Sequence, residues 1–191
     1  WGWRFAGLAM HYLHDLTQPY HASLAPDFST VRLMGINLLS ILGMPSAKND
    51  MIILLSNRHF VLERYESQMI QAAAQTRKAS SVEQALHDTR TDAAYPAWSD
   101  QYVRDTVARQ SHEMGITVTT QMLATVPTGY VNNPRFDFGL HAKDIDLMAE
   151  VARQGEAPKA ALESTIATLM RNAGAHSRNM VRGILRDSGK R

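Results

Sequence analysis

The sequence contains no cysteine. That excludes disulfide staples and thiolate metal sites, and it leaves the redox compartment open. Glycine and proline are sparse, 11 and 7 of 191 residues, and they gather at a few places. No stretch alternates apolar and polar side chains with a period of two, so nothing in the pattern supports β-sheet. Long hydrophobic runs are also missing. The most apolar stretches, Met34 to Met44 and Met51 to Leu55, are too short and too interrupted to span a bilayer. No block of like charge stands out. Twenty Lys and Arg face 18 Asp and Glu, for a formal charge of +2. A pI near 9.0 built on so small an excess is only weak evidence for a nucleic-acid partner, and none is expected. The chain opens Trp1-Gly2-Trp3-Arg4-Phe5, with neither an initiator Met nor a signal-peptide pattern. We expect a processed form or a fragment that lacks an upstream N-terminal part.

What is present is helical. Hydrophobic residues make up 45% of the chain, enough for one compact domain over residues 1–191. The expected class is all-α. A first helix is expected over 3–16, then a connection over 17–27, and a very apolar second helix over 29–42 that ends at Gly43 and Pro45. A third starts near Ser46 or Asn49 and runs to about Gln75. Helices follow over 81–88, 97–125, 143–153 and 158–186, with an irregular loop over 126–142 and a frayed tail at 189–191.

Within this frame one stretch points at chemistry. His11 and Asp15 stand four residues apart on the first helix, and His21 follows just past Pro19. His59 and Glu63 repeat the spacing on the third helix. Residues four apart share a helix face, with Cβ atoms about 6 Å apart, so each pair projects together. A single such pair is common on protein surfaces. Two pairs, plus a histidine turned back by a proline, supply five metal-ligating side chains: His11, Asp15, His21, His59 and Glu63. Imidazole and carboxylate without thiolate suit zinc in a catalytic site. Each pair also stands among apolar neighbours (Leu8, Leu13 and Leu16 for the first; Leu55, Val61 and Leu62 for the second), where polar groups need partners.

The segment from Gly7 to Ala22, with His11-Tyr12-Leu13-His14-Asp15 and Thr17-Gln18-Pro19-Tyr20-His21 at its heart, resembles the signature of the bacterial zinc-dependent phospholipases C. That family has His-x-x-x-Asp, a histidine six residues later, and a later His-x-x-x-Glu. The resemblance covers residues 4–66 firmly and is only general afterwards. It implies an all-α bundle with up to three zinc ions in a cleft between helices. His11 and Asp15 would bind one ion, Asp15 bridging to a second, and His21, His59 and Glu63 would hold the remaining one. It implies a phosphodiester hydrolase of phospholipase C type, with metal-activated water as nucleophile, secreted or periplasmic, acting on phospholipid and meeting a membrane surface.

Two departures matter. The gap between His21 and His59 is longer than in better-known members and holds the apolar second helix, expected to be an added core helix rather than the alternative, a lipid-facing lid. The family also takes ligands from upstream: its mature N-terminal Trp, a His, and an Asp–His pair whose Asp is a candidate general base. Trp1 lies on the same helix as His11 and is a poor match for that role. The chain as written carries one complete ligand trio and half of another, so fewer ions are possible.

Tyr12, Tyr20 and Phe60 flank the ligands and are candidates for a choline-type pocket. Asn57 is a candidate to orient a ligand imidazole. Arg58 and Arg64 are expected on solvated helix faces, His14 on the surface, and His87, His141 and His176 as structural or solvated. His112-Glu113 lacks the second histidine of a zincin motif. Two other functions compete: a single-strand nuclease of the related zinc fold, which uses a similar Gln-Pro-x-His turn, and an inactive metal-binding helical fragment.

Overall fold

A computed structural model describes residues 1–23 and 25–189, and among these there is no β-strand. The first helix, α1 (Gly2–Thr17), stops where Pro19 removes a donor and pushes Gln18 into extended backbone, φ −87° and ψ 124°. The Thr17 hydroxyl donates back to the His14 carbonyl at 2.7 Å. Pro19 then opens a one-turn helix, α2 (Pro19–Ala22), inside the segment expected to be plain connection. A second helix start follows at Ser29, whose hydroxyl accepts from the Arg32 amide, and α3 runs Thr30–Ile41. Gly43, at φ 83°, makes the turn into α4 (Ser46–Thr76).

A capping box between Ser80 and Glu83 starts α5 (Ser81–His87). The helix expected over 97–125 begins later, as a π-helical stretch over Val103–Ala108 that runs directly into α6 (Arg109–Thr125). The loop expected over 126–142 holds two single turns, α7 (Thr128–Val131) and α8 (Phe138–His141). After a 3₁₀ turn over Ala142–Asp144 come α9 (Leu147–Ala152) and the 33-residue α10 (Glu156–Ser188). Of the tail, only Gly189 falls among the described residues.

Two long helices organise the core. Buried positions 55, 58, 62, 65, 69 and 73 of α4 form one stripe at helical spacing. Leu62, Tyr65 and Met69 of that stripe pack in one cluster with Val118 and Met122 of α6, Leu162, Ile166 and Leu169 of α10, and Phe138, Leu147 and Val151 from the short helices. A smaller cluster joins Leu13 of α1 to Tyr102, Val107 and Met180.

The expectation that α3 is a core helix is wrong. No residue of α3 is buried: Val31 is 80% exposed, Met34 67%, Leu38 58% and Ile41 81%. It packs along α4 outside the layer that α4, α6 and α10 enclose, so only its Leu33–Ile36–Ser40 side finds shelter. No described helix is long and apolar enough to cross a membrane.

Candidate metal centre

Three of the five expected ligands come together. His59 Nε2 lies 2.9 Å from Glu63 Oε1, His21 Nε2 lies 3.2 Å from the same oxygen, and the two imidazole nitrogens are 3.0 Å apart. The imidazole rings meet edge to face, centroids 4.5 Å apart at 84°. Among the described residues, His21, His59 and Glu63 are the group of side chains that can hold a metal ion. Tetrahedral zinc with bonds near 2.05 Å separates its ligand atoms by about 3.3 Å. The observed 2.9–3.2 Å spacing therefore needs only a few tenths of an ångström of spreading. The donors also fit in charge. Hydrogen bonds from His59 and then His21 hold the Glu63 carboxyl below its ordinary value despite partial burial, so it is an anion at neutral pH. Two imidazoles and a carboxylate make a ligand set of the kind zinc takes.

Local structure delivers each ligand. The i,i+4 spacing puts His59 and Glu63 on one face of α4. His21 arrives from another element, and three cross-links hold α2 and its flanks in place, two to α4 and one to α6. Gln18 Nε2 donates to Glu66 Oε2 at 2.9 Å on one side. On the other, Arg58 Nη1 donates to both Asp27 oxygens at 2.7 and 2.8 Å. Between them, the buried Tyr20 hydroxyl is hydrogen-bonded to Thr119 of α6 at 2.9 Å. Burial pushes the Tyr20 phenol up to about 12, so it stays neutral. Pro26 sits where α6 has Gly115; a Cβ there would lie 2.9 Å from the proline ring.

Arg58 is thus not on a solvated face. It is 3% exposed, caught by Asp27 and by the Val131 carbonyl, which accepts from its Nε at 3.1 Å. Asn57 does not orient an imidazole either. Its amide donates to the Phe136 carbonyl at 2.6 Å and accepts from the Phe138 amide at 2.8 Å, tying α8 to α4.

His11 and Asp15 stand 3.4 Å apart as a pair of their own, at 66% and 36% side-chain exposure. The apolar neighbours Phe5, Leu8 and Tyr12 are themselves exposed, so burial gives this pair no reason to need a metal. His14 is exposed and bonds Ser177 Oγ at 2.7 Å. His176 is structural: fully enclosed, its ring nitrogens meet the Tyr102 hydroxyl at 2.8 Å and Gln110 Oε1 at 2.9 Å.

Beside the trio runs an open groove of about 250 Å³ lined by Tyr20, Met51, Ile52, Leu55, Ser56, His59 and Phe60. Phe60 stacks on His59, centroids 5.8 Å apart at 12°. Tyr20 and Phe60 therefore do line one space next to the ligands, whereas Tyr12 touches His11 and takes no part in it. The sequence reading missed Glu66, the one buried carboxyl among the described residues near the site. Its signal was an acid at the core spacing set by Leu62 and Met69. No family model matches the chain, and neither curated proteins nor solved structures give a match.

Proposed function

We propose that this protein is a zinc-dependent phosphodiester hydrolase of the phospholipase C type, with one ion held by His21, His59 and Glu63. The observation that carries the proposal is the convergence of those three donors from two separate elements on one point, beside an apolar groove that His59 lines. A zinc ion there would supply Lewis acidity toward a phosphodiester oxygen and a water acidic enough to attack at neutral pH. The chain's own groups do the rest. Glu63 brings a negative charge that lowers the net charge of the site. The Asp27–Arg58 and Gln18–Glu66 links keep His21 from drifting away from His59 and Glu63. Phe60 offers a half-exposed ring to a cationic headgroup, and Tyr20 a buried wall, its hydroxyl engaged by Thr119. The Thr17-Gln18-Pro19-Tyr20-His21 turn favours the phospholipid form over the nuclease form.

The test is zinc content together with hydrolysis of p-nitrophenylphosphorylcholine. We expect one ion per chain, turnover abolished by chelation and restored by zinc, and loss of both ion and turnover in His59→Ala. Zinc-loaded protein that leaves this substrate and phospholipid untouched overturns the proposal; cleavage of single-stranded DNA in their place selects the nuclease.

A further inference from the structure

The groove beside the trio runs along α4, away from the metal end. His59 and Phe60 stand at that end, with the Tyr20 ring 6.4 Å from the His59 ring. Leu55 and Ser56 line the next turn, and Met51 and Ile52 the turn beyond. From His59 to Ile52 the helix rises about 10 Å. No Asp, Glu, Lys or Arg is among the lining residues, and the Tyr20 hydroxyl is engaged by Thr119. A charged group pointing that way from the trio therefore finds no partner, whereas a hydrocarbon chain finds walls of Leu, Ile and Met. Ser56 makes no side-chain hydrogen bond among the described residues. Its hydroxyl is free to meet one oxygen at the end of such a chain, a turn from the metal end.

Size decides how much chain fits. An apolar cavity of about 150 Å³ holds one benzene ring, so a groove of about 250 Å³ holds roughly ten carbons. Its floor is a single helix face that offers two side chains per turn, Leu55 with Ser56 and then Met51 with Ile52. Leu55 is buried and forms the bottom; Ile52 is half exposed and forms the open lip. A floor of that width seats one chain. The two long chains of a membrane phospholipid do not lie in it side by side.

We propose that the groove is a subsite for one hydrocarbon chain, so that the substrates of this site are single-chain phosphodiesters of the lysophospholipid or alkylphosphocholine class. The proposal rests on the hydrolase reading of the trio and names its substrate. Monodecanoyl and dipentanoyl phosphatidylcholine carry equal numbers of acyl carbons, in one chain and in two. With both kept monomeric, kcat/KM is expected to be at least tenfold higher for the single chain. Equal values overturn the proposal. Along a series of alkylphosphocholines below their micelle concentrations, each methylene that becomes half buried should raise kcat/KM about twofold, and the rise should stop near roughly ten carbons. A flat series also overturns it. A separate readout is binding without turnover, by calorimetric titration of chelator-treated protein with decylphosphocholine and pentylphosphocholine. The wild type should bind the decyl compound at least tenfold more tightly. Ile52→Glu, with a charge at the lip of the groove, should lose that preference and keep the wild-type melting curve. Leu38→Glu, on the exposed side of α3 outside the groove, should retain the preference. A preference that survives Ile52→Glu, or that both variants lose, overturns the subsite. The expected pattern of binding in a protein that hydrolyses none of these compounds supports the subsite and overturns the hydrolase instead.

Discussion

Glu66 places a carboxyl on the apolar stripe of α4, between Leu62 and Met69, at 5% exposure. Gln18 gives it one hydrogen bond. Its other oxygen, and the amide oxygen of Gln18, find no hydrogen-bond partner among the described residues. Burial pushes this carboxyl up to about 8; the bond from Gln18 opposes the shift, and the charge of Glu63 adds to it. Glu66 is therefore a neutral acid at pH 7. Its folded value lies above its unfolded one, so the native state holds the extra proton between the ordinary carboxylate range and about pH 8. Stability from the neutral form is complete at low pH and is lost as pH rises through that window. Glu66→Gln keeps the shape and the bond from Gln18 and has nothing to ionise. We expect it to match wild type near pH 4.5 and to be more stable by about 4–5 kcal/mol above pH 8. Urea unfolding at both pH values checks this; the same difference at each would refute it. An acid at core spacing was visible in the sequence, but which neighbours would enclose it was not.

At the scale of elements, legibility followed local chemistry. The end of α1 was written in Thr17 and Pro19, the start of α4 in Gly43 and Pro45, and the bounds of α10 in Gly155 and Gly189. The short turns α2, α7 and α8 were not legible, because one turn carries no periodicity and forms only where tertiary partners such as Asn57 catch it. The placement of α3 failed for a related reason: an apolar pattern says that a helix has an apolar partner, never which one. Close approach is equally invisible. Gly174 of α10 lets the end of α5 lie directly against it, where a Cβ would collide with the Leu86 carbonyl. Arg178 locks the same contact by donating to the Leu86 and Asp88 carbonyls at 2.8 and 2.7 Å. Gly174→Ala is expected to cost about 1–3 kcal/mol despite its better helix propensity. Gly7→Ala, in the middle of α1 with open space around it, should instead stabilise by up to about 1 kcal/mol. Thermal melts of the two variants should move in opposite directions. A Gly174→Ala midpoint at or above wild type would mean that α5 shifts freely.

For the molecule as a whole, the candidate site is a clasp between distant parts of the chain. His21 comes from the segment after α1, and His59 and Glu63 from α4, 38 and 42 residues further on. The His59–Glu63 pair was readable from spacing alone. The arrival of His21 beside it was not, because it depends on the Pro19 turn, on Tyr20 meeting Thr119, and on Asp27 meeting Arg58. The resemblance to the phospholipases supplied the expectation, and the fold supplies the contact. A clasp of this kind couples metal binding to global stability. An ion that binds the folded protein and not the unfolded chain stabilises it by about 2.7 kcal/mol at one hundred times its Kd. For a chain of this length that raises the melting midpoint by roughly 5–10 °C. Zinc should therefore raise the midpoint of wild type, and chelator should reverse the rise. His59→Ala and His21→Ala should each abolish the response, since either loss leaves two donors. His11→Ala should keep it, because His11 lies outside the trio and pairs only with Asp15 among the carboxylates. A His11→Ala protein as unresponsive as His59→Ala would mean that α1 contributes to the same ion, and the single-trio site would have to be abandoned for one that spans both helices.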